Sequence, residues 1–309
     1  MPEPGAPPRD PRDVDPHAVR RGFARAAATY DEAAALQREI GARLAERLDY
    51  VKLAPSMILD AGCGTGEAVG DLGVRFPVAR VVALDVALPM VVAARARVRA
   101  GRSALRRLLR PFASRAAVAP AFVCGDIGAL PLAAGSCELI WSNLALQWVN
   151  DLPQAFAEFR RVLKVGGLLS FTTFGPDSLR EVRAAFAGVD DSTHTNRFID
   201  MHDIGDMLVH AGFADPVMDM EQVTLTFDTP KSLVVELKAI GATNRTRGRP
   251  RGLMGRARWS RAIAGLERLR RDGRIPATFE VVYGHAWKAE PRVTPEGHAI
   301  VHLQRPQPR

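Results

Sequence analysis

The chain has 309 residues, a formal net charge of +8 and an apolar fraction of 47%, a globular composition that excludes disorder along the whole length. No apolar run approaches the ~20 residues of a membrane span, and the N-terminus lacks the apolar stretch of a secretory signal. Cys63, Cys124 and Cys137 are too few for a disulfide framework and lack zinc-site spacing, so a reducing, cytoplasmic setting is expected.

Residues 1–16 are rich in Pro, Gly, Asp and Arg without an apolar period and read as a disordered tail. Residues 17–309 read as a single domain. Val19, Phe23, Ala26, Tyr30, Ala33, Leu36, Ile40 and Leu44 step by three or four and predict helix over 17–48. A break at Thr29-Tyr30-Asp31 divides it in two, with Asp31 as N-cap of the second half. Strands and helices then alternate. Met57–Leu59 is a strand ending in Asp60, and a glycine turn leads into a helix up to Phe76. Arg80–Leu84 ends in Asp85, and an arginine-studded helix starts near Pro89. Ala121–Cys124 is followed by Gly125-Asp126. Cys137–Ser142 precedes a helix at Leu152–Leu163, which Gly166-Gly167 is expected to stop before a strand at Leu168–Phe174. This rhythm predicts parallel strands with helices on both faces. Beyond Gly175, helices are expected at Ser178–Phe186 and His202–Ala211, and strands at Val223–Phe227 and Phe279–Ala286.

The sharpest motif is Asp60-Ala61-Gly62-Cys63-Gly64-Thr65-Gly66, a GxGxG turn between a strand and a helix. Glycines there permit left-handed backbone and let N–H groups approach a ligand. Three successive strands end at or beside an acid (Asp60, Asp85, Asp126), and the carboxyl edge of an open α/β sheet is where ligands bind. A nicotinamide or nucleotide fold shares this layout, but Asp60 beside the glycine turn suits a phosphate poorly.

The pattern resembles the class I S-adenosylmethionine-dependent methyltransferases. The resemblance implies an α/β fold: a Rossmann-like, seven-stranded, mostly parallel sheet with an antiparallel last strand and a helical lid, drawn from residues 17–50 and 176–275. It implies S-adenosyl-L-methionine as cofactor, its methionine end on Asp60, Ala61, Gly62, Cys63, Gly64 and Gly66. It puts the ribose on Asp85 and the adenine by Asp126 and Ile127, with Asn143, in the Ser142–Val149 motif, as a cofactor or channel contact. Tyr30, on the lid, is a further cofactor contact. Four flanking segments, 23–34, 171–181, 196–205 and 279–288, look like those of the malonyl-acyl-carrier-protein O-methyltransferases of biotin synthesis. They also resemble a methyltransferase-like arginine hydroxylase that assembles respiratory complex I.

A malonyl carboxylate ionises near pH 3–4, roughly the ordinary carboxyl range, so it is already a nucleophile at neutral pH and no catalytic base is expected. A cation should hold it. Arg197 is the first candidate, with Tyr283 and His285 beside it. The seven histidines show no metal-ligand spacing, and no metal is expected. Residues 86–125 hold eight arginines and no acid, and residues 244–274 hold eleven arginines against Glu267 and Asp272. Such blocks suit an acidic acyl carrier protein. Their densest parts, residues 95–115 and 245–274, contain only Phe112 and Trp259 as aromatics, so nucleic acid is not expected as a partner.

Overall fold

The computed structural model describes residues 10–108 (102–108 as backbone alone), 118–190, 192–239, 244–250, 252 and 254–290. Three helical pieces open it: α1 (Pro16–Ala26), α2 (Tyr30–Ala33) and α3 (Ala35–Arg47). Asp15 caps α1 by accepting from the backbone N–H of His17 and Ala18, with Pro16 at the first helical position. The expected tail lies outside the described residues as far as residue 9, but residues 10–16 are held in place. Val14 is buried, bridges to Thr246, and exchanges two hydrogen bonds with the Asn150 side chain. Asp31 does not cap the second half. It lies inside α2, where Thr65 Oγ1 donates to its carboxylate at 2.5 Å and Arg97 reaches it at 3.1 Å.

The sheet contains β1 (Met57–Ala61), β2 (Arg80–Asp85), β3 (Ala121–Cys124), β4 (Cys137–Ser142), β5 (Leu163–Phe174), β6 (Phe213–Phe227) and β7 (Ile275–Lys288). Its order is β3-β2-β1-β4-β5-β7-β6; the first five strands are parallel, and β7 runs against both β5 and β6. Between them lie α4 (Glu67–Arg75), α5 (Leu88–Leu108), α6 (Leu152–Val162), α7 (Arg180–Phe186), α8 (Met201–His210), α9 (Pro230–Ala239) and α10 (Arg256–Arg268). Parallel strands are covered on both faces, and successive residues serve opposite cores. Ile58, Val81 and Leu139 pack with Leu36, Ile40 and Leu44 of α3, while Leu59, Val82 and Ile140 pack with Phe156 and Phe159 of α6. Each such fully buried Leu, Ile or Phe contributes about 1.5–3 kcal/mol by leaving water.

Two elements depart from the sequence reading. Gly166-Gly167 does not stop a helix; α6 ends at Val162, and the glycines lie in a bulge of β5, where the register jumps from Cys137↔Leu163 to Leu139↔Leu168. Strand β6 starts at Phe213, ten residues before the expected start. It is the edge strand and half-exposed, so its pattern lacks a strong apolar face, and a register shift between Ala214 and Val217 breaks the alternation.

Candidate active site

The carboxyl ends of β1, β2, β3 and β4 bring Asp60, Asp85, Asp126 and Asn143 to one edge of the sheet. Gly62 (φ +84°) and Gly64 (φ +51°) carry the turn between β1 and α4 in left-handed backbone. A β-carbon on Gly62 would stand 2.3 Å from that of Ala145, whereas one on Gly64 would enter open space. Asp85 fixes this turn: its carboxylate accepts from Gly64 N at 3.0 Å and from Ala87 N at 2.8 Å. Burial holds the Asp85 carboxyl above its usual range, opposed by those two hydrogen bonds.

Two lobes of a cleft, each about 400 Å³, meet at Tyr30, Gly62, Gly64 and Asn143. The first is lined by Asp85, Asp126, Ile127, Met90 and Gln154, and is roofed by Val19 and Phe23 of α1. Asp126 is exposed there, bonded to Gly128 N at 2.8 Å. The second is lined by Asp60, Cys63, Thr65, Gln37 and Trp141. Three buried polar atoms in this lobe have no partner: Asp60 Oδ2, Gln37 Oε1 and Trp141 Nε1. The Asp60 carboxyl is pushed up to about 8, by burial first and by the Asp85 charge second. Burial also raises the Cys63 thiol, which leaves it unreactive.

Tyr30 stands where the lobes join, edge-on to Phe23, which in turn meets Trp148 edge-on at 5.3 Å. Its phenol is held above its usual value by burial, then by Asp85 and Asp31. Asn143 ties the lid to the sheet: Nδ2 donates to the Gln37 carbonyl of α3 at 2.9 Å, and Oδ1 accepts from Thr172 of β5 at 2.7 Å. The next residue, Leu144, is left-handed (φ +50°), held by the bond from its N–H to Thr172 Oγ1. Two nominated residues stand apart from the cleft. Ala61 is fully buried in the α6 core, and Gly66 packs against Ala94 of α5. They shape the turn from behind.

Trp148 also belongs to a third, apolar chamber of about 190 Å³, lined by Gln147, Phe174, Leu179, Phe186, Phe198 and Phe279 among others. Its histidine, His194, is engaged by Asp190 at 2.7 Å and stacked on Phe186.

Residues 59–171 match the model of a methyltransferase domain. Over 93% of its length the chain is 52% identical to the malonyl-[acyl-carrier protein] O-methyltransferase of Gallionella capsiferriformans, covering 96% of that protein. Over 90% it is 56% identical to the enzyme of the same name from Laribacter hongkongensis, covering 92% of it. The chain belongs to the malonyl-[acyl-carrier protein] O-methyltransferase family. The fold is shared more widely. The YcgJ protein of Bacillus subtilis aligns with a TM-score of 0.54 at 16% identity, over 80% of this chain and 98% of that one.

In this member of the O-methyltransferase family, the three residues nominated for the acceptor do not reach the cleft. Arg197 is exposed and lines none of the described cavities, although its neighbours Asn196 and Phe198 line the apolar chamber. Tyr283 and His285 line a separate cavity of about 520 Å³ behind α3. Period-2 alternation turns both to the same face of β7, where Arg47 covers the Tyr283 ring at 3.7 Å and Glu221 accepts from its hydroxyl. Burial and Glu221 raise that phenol, and burial and Arg47 lower the His285 imidazole. The first basic block is also partly spent: Arg97 is paired with Asp31 and Glu67. Its residues 102–117 lie outside the described side chains. In the second block, Arg249, Arg270 and Arg274 pair with Asp15, Glu267 and Asp228. The sequence reading did not nominate Gln37 and Trp141, which lie in segments read as helix and strand, nor Trp148, although the Ser142–Val149 motif that holds it reads as lining a channel.

Proposed function

We propose that this protein transfers the methyl group of S-adenosylmethionine to the free carboxylate of malonyl-acyl carrier protein, forming the methyl ester that primes biotin (pimeloyl) synthesis. The observation that carries the reading is the two-lobed cleft joined to an apolar chamber through Trp148, in a chain more than half identical to enzymes of that name. The cleft fits the cofactor in detail. The unpaired Asp60 Oδ2 and Gln37 Oε1 are acceptors for an ammonium group, and Trp141 Nε1 is a donor for a carboxylate. The open space over Gly64 admits the chain between them. Asp85 keeps lone pairs free for ribose hydroxyls, and Asp126 with Ile127 edges the base.

The bound cofactor supplies an electrophilic methyl on a sulfonium. The residues of this chain bring the acceptor to it. Phe23, Tyr30 and Trp148 form an aromatic wall that excludes water at the junction of lobe and chamber. The malonyl carboxylate is ionised before it binds, so positioning and desolvation carry the rate and no residue need take a proton. This matches a chamber whose histidine is already committed to Asp190.

The same reading assigns the chain a single methyltransferase domain with lids from residues 17–50 and 176–275. It makes an acidic carrier protein the partner and leaves no role for nucleic acid. Three free cysteines support a cytoplasmic location. No described helix is long and apolar enough to cross a membrane.

The test is incubation of the pure protein with methyl-labelled S-adenosylmethionine and malonyl carrier protein. Label should appear on the carrier protein and be released by mild alkali as volatile methanol, as from a methyl ester. Absence of label, or label that alkali releases only in a non-volatile acid, would overturn the reading.

A further inference from the structure

Five buried side-chain polar atoms among the described residues lack a partner, and they fall in two places. Three belong to the cofactor cleft. The other two are the Nε atoms of Arg245 and Arg247, in the segment that bridges to Val14 ahead of α1.

The backbone fixes where Arg245 stands: its N–H donates to Asn196 Oδ1 at 2.9 Å, and its carbonyl accepts from Asp15 N at 2.8 Å. Its guanidinium rests on Gly22 of α1, where a β-carbon would come within 2.5 Å of Nη2. Burial first, and then the charges of Arg25, Arg249 and Arg21, weaken its hold on its proton. The nearby carboxylate, Asp15, is already taken up by Arg249 at 3.4 Å and by two N–H groups of α1. Guanidinium groups gathered this way repel one another unless an anion joins them. Their position narrows the choice of anion. Asn196 and Asn244 beside Arg245 line the apolar chamber, and Val19 and Phe23 flanking Gly22 roof the cofactor lobe. Arg21 and Arg25 face solvent. The cluster therefore sits at the outer rim of the acceptor chamber, where the two lid segments meet.

We infer that Arg245, with Arg21 and Arg25, forms a phosphate subsite for the phosphopantetheine arm that delivers the malonyl thioester. Arginine forks match phosphate oxygens in pairs, and a phosphate held here would join α1 to the 244–249 segment, beside the backbone bridge they already share, as the acyl group enters the chamber. The inference rests on the functional reading above and names the part of the acceptor that the arginines hold.

The experiment compares the malonyl thioesters of phosphopantetheine and of pantetheine, which differ by the phosphate alone. Wild-type kcat/KM should favour the phosphorylated thioester. That preference should fall by about tenfold or more in Arg245→Gln, and also in the surface variant Arg21→Gln/Arg25→Gln, which does not disturb the packing on Gly22. An unchanged preference in both variants would overturn the proposal. An equal loss on both thioesters would also overturn it, because it would assign Arg245 to the malonyl carboxylate. Calorimetric titration with unacylated phosphopantetheine against pantetheine reads the subsite without methyl transfer. If malonyl carrier protein were not methylated at all, the functional reading would fail, and this titration would still decide the subsite.

Discussion

Asp60 gives the sharpest test of the cleft. With its carboxyl pushed up to about 8, it is mostly protonated at pH 7 in the free protein. An ammonium group docking against the unpaired Oδ2 requires the ionised form, so cofactor binding must expel a proton. Below the Asp60 pKa, the association constant should rise about tenfold per pH unit, or about 1.4 kcal/mol. Above about pH 8 the cofactor's own amino group deprotonates, so affinity should turn over. Stability of the free protein runs the other way. A carboxyl whose folded pKa exceeds its unfolded value near 3.8 binds more protons when folded, so stability falls as pH rises from about 4 to about 8. Isothermal titration in two buffers of different ionisation enthalpy measures both affinity and proton release. Asp60→Asn should bind more weakly at pH 8, release no proton and lose the acid slope. It should also remove the fall in stability between those limits. A wild-type affinity that is flat from pH 6 to 8, or an acid slope that survives in Asp60→Asn, would refute the ammonium assignment.

Asp85→Asn should weaken S-adenosylmethionine binding by about 10- to 100-fold through lost charged hydrogen bonds, and lower stability by about 1–2 kcal/mol because the amide cannot accept from both Gly64 and Ala87. Calorimetry and urea unfolding measure the two effects separately; wild-type affinity in a folded variant would exclude a ribose role. With saturating cofactor, kcat on malonyl carrier protein should be nearly flat from about pH 6 to 8.5, since the nucleophile stays ionised; a steep rise near neutrality would indicate a required base. Gly62→Ala combines a left-handed backbone with the 2.3 Å approach to Ala145, and should cost about 2–5 kcal/mol in urea unfolding.

The cofactor half was legible in the sequence because its strands are short apolar runs closed by acids or by Ser142-Asn143, and a parallel sheet leaves such runs unbroken. The edge strand β6 was not legible at its start, since an exposed strand with Pro216 and a bulge carries no apolar alternation to read. Tyr283 and His285 were assigned by neighbourhood in the chain, but the pairing of Tyr283 with Asp219 across the sheet decides which face they serve. Asp31 looked like a helix cap because its position suited one; its real partner, Thr65, is 34 residues away. Arg245 was one arginine among eleven in its block, and only three-dimensional packing separates it from those that pair with carboxylates.

The clasp on α1 also sets an order of events during synthesis. Val14 and Asp15 leave the ribosome early, yet their partners are Asn150, Arg245 and Thr246, and the Asp15–Arg249 pair spans 234 residues. The strands that carry Asp60, Asp85 and Asn143 emerge long before residues 245–249 can complete that clasp. A growing chain therefore passes through a stage in which the sheet edge is assembled while its roof has only Asn143 and Asn150 to latch onto. Contacts of such long range are slow to form, and the last fifth of the chain converts an open groove into an enclosed one.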